Sequence, residues 1–151
     1  GLAHVPGILG ALSPIEHYHV PTWCRVIHVN LTASFILTRA LLPLLRRSAD
    51  ASVVFTSSTV GRHGRAYWGA YSASKFGTEG LMQVLADETA DNPRMGVNSL
   101  NPGRVRTAMR RQAYPAEDQN RLVEPVAVTP PYLFLLGPAG QGVSGRAFDC
   151  Q

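Results

Sequence analysis

The 151-residue chain carries fourteen basic and ten acidic residues, a formal net charge of +4, and an apolar fraction of 45% that excludes disordered and fibrous classes. Its arginines are scattered without interleaved aromatic residues, so we expect no nucleic-acid partner. Apolar runs end well before the roughly 20 residues of a membrane span, and no signal peptide is visible. The widely separated Cys24 and Cys150 favour free thiols, so these features together predict a cytoplasmic protein.

Strand and helix patterns alternate along residues 1–151, which we interpret as a single α/β domain. Continuous apolar and β-branched runs predict buried strands at 1–5, 52–56, 96–100 and 146–150. Helical spacing of apolar residues predicts helices over 22–47, 71–90, 107–112 and 126–136. We place a cap at Thr22 and a kink at Pro43. The pattern predicts a partial doubly wound parallel sheet, Rossmann-like, in which 52–56 and 96–100 pair directly.

Tyr71 and Lys75 are four residues apart in a predicted helix, so their side chains project from one face. A tyrosine with an ordinary pKa near 10 is a poor acid or base at neutral pH, and an adjacent ammonium lowers that pKa. Lys75 is also the only lysine beside thirteen arginines. The alternative is that Lys75 forms a surface salt bridge with Glu79, one helical turn further on.

Three further polar features accompany this pair. Ser58 follows the 52–56 strand, where a hydroxyl can bind a substrate carbonyl, although a turn cap is the alternative role. Asn30 lies inside an apolar helical pattern and therefore needs a buried partner. Residues 102–107 follow the 96–100 strand, and their Pro-Gly pair predicts a sharp turn able to approach a planar ligand closely.

Six arginines fall in loops that follow strand ends: Arg62, Arg65, Arg104, Arg106, Arg110 and Arg111. If several of them surround the ligand cleft, they favour an acidic or phosphate-bearing substrate. The alternative is that they are ordinary solvated side chains on unrelated faces.

The order of these features resembles the short-chain dehydrogenase/reductase family. The matching pattern is Ser58, twelve intervening residues, Tyr71-x-x-x-Lys75, and then Asn101-Pro102-Gly103-x-Val105-x-Thr107. The stretch 55–88 looks especially like the YciK-type bacterial oxidoreductases of this family. The resemblance implies the C-terminal, catalytic portion of a family domain that transfers hydride between NAD or NADP and a small carbonyl or alcohol substrate.

The resemblance also implies residue roles. Tyr71 is expected as the general acid/base, with Lys75 lowering its pKa and holding the nicotinamide ribose, Ser58 orienting the substrate, and Asn30 anchoring a water relay. The remaining cofactor contacts are expected from Pro102, Gly103, Val105 and Thr107. No metal site is expected, and the helices over 22–47 and 71–90 are expected to form a homodimer or homotetramer.

The family's Gly-rich turn, which receives the cofactor pyrophosphate, is not found in the sequence. A glycine-containing segment at 137–142 precedes a strand instead of a helix, so we interpret it as a loop. We therefore expect this chain alone to bind NAD(P) weakly or not at all. The alternative to an enzyme is a truncated, non-catalytic fragment or an oligomerisation module.

Overall fold

The computed structural model describes residues 1–151. Its strands are β1 (Leu2–His4), β2 (Ala51–Thr56), β3 (Met95–Asn101) and β4 (Ala147–Asp149). Its α-helices are α1 (Val20–Ile27), α2 (Ala33–Arg47), α3 (Gly69–Glu88), α4 (Ala108–Ala113) and α5 (Thr129–Leu136). A π-helical segment, His28–Thr32, joins α1 to α2. Short 3₁₀ turns lie at Ile15–His17, Thr59–Gly61, Gln119–Arg121, Pro125–Val128 and Pro138–Gly140.

The four strands form one parallel sheet in the order β1-β2-β3-β4. The predicted pairing of β2 with β3 is confirmed, with Val53 opposite Val97. Both strands are almost entirely buried, as continuous apolar runs predict for a sheet covered on both faces. The prediction of a partial Rossmann-like α/β fold is therefore confirmed.

Alternate residues of the strands point to two apolar layers. Val53 and Phe55 of β2 and Val97 of β3 pack with Met82 and Leu85 of α3 on one face of the sheet. On the other face, Val54 and Leu100 pack with Leu135 of α5. The helices therefore hold the carboxyl ends of β2 and β3 in place from both sides.

The first long helical region differs from its prediction. It begins at Val20 after His19, so Thr22 is not its cap. Helical structure continues through the π segment and past Pro43, and the stretch from Val20 to Arg47 spans 28 residues. By length and composition alone it could cross a membrane, so the expectation that no apolar stretch reaches that length is wrong. This is a weak indication, because helices packed in globular domains meet the same criterion.

The boundaries of other helices and strands differ from the predicted ones by one to a few residues. The helix predicted over 71–90 spans Gly69–Glu88, and the one predicted over 126–136 is a 3₁₀ turn followed by α5. The last strand is shorter than predicted, at Ala147–Asp149. These differences leave the order of elements unchanged.

His4, at the end of β1, is buried against its neighbours. Its Nε2 lies 2.8 Å from Thr38 Oγ1 of α2, and its ring stacks on Phe55 of β2 with centroids 4.8 Å apart. Burial lowers the pKa of His4 below its ordinary value, because the charged imidazolium would lose its hydration.

We expect the chain to lose stability as the pH falls below about 6.5, because the unfolded chain binds a proton at His4 more readily than the folded chain does. A His4→Gln variant has an amide that can still bond Thr38 but does not titrate. Its free energy of unfolding, measured with urea at about pH 7.5 and about pH 5, should fall less than that of the wild-type chain. If the free energy of unfolding fell equally in the variant and in the wild-type chain, the burial of a neutral His4 would be contradicted.

Candidate active site

The end of β2 directs two adjacent serines in different directions. The Ser57 backbone N–H bonds the Leu100 carbonyl at 2.8 Å, which extends the parallel ladder by one residue. The side chain of Ser57 therefore continues the strand alternation and faces α3, while Ser58 follows after the end of β2. Ser58 precedes the 3₁₀ turn at 59–61, but its side chain makes no capping bond there. The turn-cap role is therefore not what the Ser58 hydroxyl performs.

Tyr71 lies in the first turns of α3 with 9% of its surface exposed. Its ring contacts the edge of Trp68 at a centroid distance of 5.8 Å. Burial raises the pKa of the Tyr71 hydroxyl above its ordinary value, and a hydrogen bond with Ser58 lowers it in partial compensation. The structure thus brings the Ser58 and Tyr71 hydroxyls together, and Tyr71 is held in its protonated form.

Lys75 is buried one turn further along α3, with 4% of its surface exposed. Its ammonium donates a 2.7 Å hydrogen bond to the Thr56 carbonyl of β2 and lies 5.7 Å from the centroid of the Tyr71 ring. Burial lowers the pKa of Lys75 to about 8, and the negative charge of Glu79 opposes that change. The alternative of a surface salt bridge with Glu79 is wrong, because Lys75 is buried and the cation bonded to Glu79 is Arg62.

Asn30 lies in the π segment and is 2% exposed. Its Oδ1 accepts from the Ile8 backbone N–H at 2.8 Å, and its Nδ2 donates to the Ile8 carbonyl at 3.0 Å and to Ser74 Oγ at 3.0 Å. The buried partner that the sequence required is therefore the loop after β1. Asn30 does not line the cavity beside Lys75. A π segment places one extra residue in a helical turn, a distortion that occurs often near functional sites.

The turn after β3 has the predicted sharp geometry. Gly103 has a φ of +77°, a left-handed conformation that favours glycine. Its N–H bonds the Asn101 side chain at 3.1 Å. Val105 is buried. Thr107 precedes α4 and its hydroxyl accepts from the Arg110 N–H at 3.1 Å, a helix-cap role that was not predicted.

A cavity of about 590 Å³ opens at the carboxyl ends of the strands. Every predicted site residue except Asn30 lines it: Ser58, Tyr71, Lys75, Pro102, Gly103, Val105 and Thr107. Lys75 makes one hydrogen bond, so two of the three donors of its ammonium are free to bind hydroxyl groups there. These residues could hold a nicotinamide and its ribose, with the Tyr71 hydroxyl beside them.

Part of the cavity wall is apolar and was not predicted. Leu9 is buried against Tyr71, and the partly buried Trp68, Met109 and Ala113 pack against them. Tyr114 completes this wall. No short-range pattern marks these residues, because they come from three separate segments.

The six loop arginines do not form a ring around the cavity. Arg110 is the only one that lines it, and its guanidinium makes two 2.6 Å bonds to the Glu117 carboxylate. Arg62 pairs with Glu79 and Asp149, and Arg106 pairs with Glu124. The hypothesis of an anion-binding ring is therefore wrong, because five of the six arginines do not line the cavity and Glu117 neutralises the sixth.

Comparisons with known proteins agree with this arrangement. A family model described as short chain dehydrogenase matches residues 1–118. The chain is 51% identical over 151 residues to the uncharacterized oxidoreductase YciK of Escherichia coli strain K12, covering 100% of this chain and 59% of that protein. It is 31% identical over 147 residues to cyclohexanol dehydrogenase of Acinetobacter sp. strain SE19, covering 94% and 58%. A short chain dehydrogenase from Shigella flexneri 2a strain 301, complexed with NADP, shares 50% identity with a TM-score of 0.94, covering 99% and 62%.

The chain therefore belongs to the short chain dehydrogenase family, and the resemblance to its YciK-type group is confirmed. It spans about three-fifths of the length of the relatives it matches: 59%, 58% and 62%.

Lys75 should make the free energy of unfolding rise with pH. Its folded pKa, about 8, lies below the ordinary 10.5, so between these values the unfolded chain binds more protons and stability increases with pH. A Lys75→Met variant lacks this titration. Between about pH 8 and about pH 10, urea unfolding should show a rise larger by about 2 kcal/mol in the wild-type chain than in Lys75→Met.

The matched control is Arg94→Met, which removes an exposed cation. It should keep the wild-type dependence on pH. If Lys75→Met showed the same rise as the wild-type chain, the ammonium of Lys75 would not be buried as described.

Proposed function

We propose that this chain forms the catalytic part of an NAD(P)-dependent oxidoreductase that interconverts a carbonyl compound and an alcohol. One observation carries the proposal: Ser58 and Tyr71 line the same cavity as the buried Lys75 ammonium, close enough for Ser58 to affect the pKa of the Tyr71 hydroxyl, at the carboxyl ends of parallel strands. Family membership supports the same reaction class.

The proposed roles follow from this arrangement. Ser58 bonds the substrate oxygen, which brings that oxygen to the Tyr71 hydroxyl. Tyr71, protonated at neutral pH, donates its proton to the carbonyl oxygen during reduction and accepts it back during alcohol oxidation. Lys75 supplies a positive charge close to the Tyr71 ring, which stabilises the phenolate left after proton donation.

The cofactor contacts are proposed from the chemistry of the donors. A bound nicotinamide cofactor supplies or accepts the hydride. The free donors of Lys75 suit ribose hydroxyls, and the turn at Pro102 and Gly103 presents backbone to the ring. Val105 and Thr107 extend this side of the cavity. The NADP complex of the Shigella flexneri relative supports this assignment. Asn30 is proposed to act indirectly, by holding the loop at Ile8 against α3.

The substrate is proposed to be neutral and apolar, such as a cyclic or aromatic ketone or secondary alcohol. The cavity wall at Leu9, Trp68 and Met109 offers apolar surface. Glu117 neutralises Arg110, the one arginine in the wall, so an anionic substrate would gain little there. The name of the cyclohexanol dehydrogenase relative agrees with this substrate class.

We also propose that the protein is a soluble cytoplasmic dimer or tetramer. Large apolar side chains stand exposed on the helical regions 22–47 and 71–90: Phe35, Ile36 and Leu44 on α2, and Phe76 and Val84 on α3. Several large apolar side chains exposed on the same two helices favour an association surface. A second copy would cover the same side chains through a symmetric contact.

The enzymatic proposal can be tested with a fusion protein, because the chain matches about three-fifths of its relatives. The N-terminal remainder of E. coli YciK, joined to this chain, should bind NADPH and reduce cyclohexanone. Replacing Tyr71 by Phe in the fusion should leave NADPH binding intact and reduce turnover by about 10²- to 10⁴-fold, the usual contribution of a positioned proton donor.

The matched control is Tyr67→Phe, since Tyr67 is exposed and does not line the cavity. It should leave turnover unchanged. The 151-residue chain alone should bind NADPH with a Kd above about 10 μM, measured by fluorescence. Full turnover in the Tyr71→Phe fusion would contradict the proposed role, and tight binding by the chain alone would contradict the need for further residues.

The association surface has its own test. A Phe76→Glu variant places a charge on the exposed apolar surface of α3. The charge would lose its hydration if this surface were buried in an interface, but would stay hydrated on an open surface. Sedimentation velocity should show dissociation towards monomers, whereas Ile15→Glu, an exposed site outside α2 and α3, should leave the assembly unchanged. An unchanged assembly in Phe76→Glu would place the contact elsewhere.

A further inference from the structure

Glu79 is a buried acidic residue that the proposed mechanism does not use. It lies one helical turn after Lys75 on α3 and is 6% exposed. Its Oε1 accepts hydrogen bonds from Ser57 Oγ and from Arg62 Nε, the latter at 3.1 Å. Its Oε2 accepts a 2.7 Å bond from Ser99 Oγ of β3. A buried acid with so many partners needs an explanation.

The partners indicate that Glu79 is ionised. All three groups bonded to it are donors, and one of them carries a positive charge. The guanidinium of Arg62 carries donors only and a fixed positive charge, so its partner is the carboxylate form of Glu79. Glu79 therefore places a negative charge beneath the end of the sheet.

Glu79 and Lys75 hold the same strand end from one face of α3. Lys75 bonds the carbonyl of Thr56, and Glu79 bonds the hydroxyl of Ser57. Ser58 is the next residue, so the two contacts fix the backbone from which its hydroxyl reaches Tyr71. Because the contacts are one turn apart on a rigid helix, loss of either one would allow this strand end to shift.

Few other charged groups surround Glu79 and Lys75. Arg62 lies on the outer side of Glu79, and its other guanidinium nitrogens bond Asp149 at 2.8 Å and the Phe148 carbonyl at 3.2 Å. Tyr71 is the remaining titratable group beside Lys75. The electrostatic effect of Glu79 favours the charged form of Lys75 and opposes the effect of burial.

We propose that Glu79 is a positioning residue of the Ser58–Tyr71–Lys75 site, which fixes the end of β2 through Ser57 and stabilises the ammonium form of Lys75 through its charge. The catalytic part of this inference rests on the proposed function. The charge coupling does not, because it can be measured in the chain without any turnover.

Lys75 is the only lysine in the chain, so carbon-13 lysine labelling gives a single side-chain signal that reports its pKa by NMR. In Glu79→Gln, the amide keeps the shape of the carboxylate but loses its charge. The pKa of Lys75 should then fall, by roughly one unit, as expected for the loss of a nearby opposite charge. The matched control, Glu88→Gln, neutralises an exposed acid of the same helix and should leave that pKa unchanged.

A second variant tests the coupling from the other side. Arg62→Gln removes the cation that pairs with Glu79 from a partly exposed position, so the pKa of Lys75 should rise instead. If Glu79→Gln does not fold, as judged by the dispersion of its NMR spectrum, Arg62→Gln alone tests the charge coupling between Glu79 and Lys75. An unchanged Lys75 pKa in a folded Glu79→Gln, or no rise in Arg62→Gln, would overturn the proposal.

In the fusion with the YciK segment, Glu79→Gln should move the alkaline limb of the kcat profile to lower pH. At about pH 8 the protonated fraction of Lys75 would fall from about one half to about one tenth, with a similar loss in kcat and a smaller change in KM. An unmoved limb in an active fusion would overturn the catalytic part of the inference. An inactive wild-type fusion, together with a shifted Lys75 pKa, would instead count against the proposed function.

Discussion

The buried ammonium of Lys75 is the constraint on which the rest of the site depends. A buried amine tends to lose its proton unless hydrogen bonds and an opposite charge stabilise the charged form. The Thr56 carbonyl supplies the hydrogen bond and Glu79 supplies the charge. Both requirements tie α3 to the end of β2, so a fixed strand end and a charged amine arise from the same contacts.

This constraint explains why α3 packs so closely on the segment after β2. A Cβ added at Gly61 would come within 2.8 Å of the Lys75 Cβ, so only glycine allows the 3₁₀ turn to approach the helix there. Ser72 bonds the Val60 carbonyl and closes the same contact. The turn therefore covers the stem of Lys75 while leaving its ammonium beside the cavity.

Sequence patterns were sufficient for the elements that depend on local or continuous signals. The β-branched run of β2 and the apolar run of β3 identified central parallel strands, because burial on both faces leaves no polar alternation. The placement of Ser58, Tyr71 and Lys75 in one cavity also followed from strand ends and a four-residue helical spacing. Their catalytic roles remain proposals.

Features that depend on contacts between distant segments could not be predicted. The π segment around Asn30 has no local signature, and the Asn30 amide bonds Ile8 and Ser74, which lie in distant segments of the chain. The spacing of four residues also left open a pairing of Lys75 with Glu79, the alternative that the structure contradicts. Only the fold reveals that Arg62, Ser57 and Ser99 converge on that carboxylate.

The distribution of charge leads to a final point about the cavity. The chain carries a net charge of +4, yet the arginine in the cavity wall is paired with Glu117, and Arg62 is paired with Glu79 and Asp149. Pairing of this kind keeps the contribution of these arginines to the electric field in the cavity small, so the ammonium of Lys75 is the main positive charge beside Tyr71. A neutral substrate then meets one local charge placed beside Tyr71, which favours the developing phenolate without attracting anions to the apolar wall.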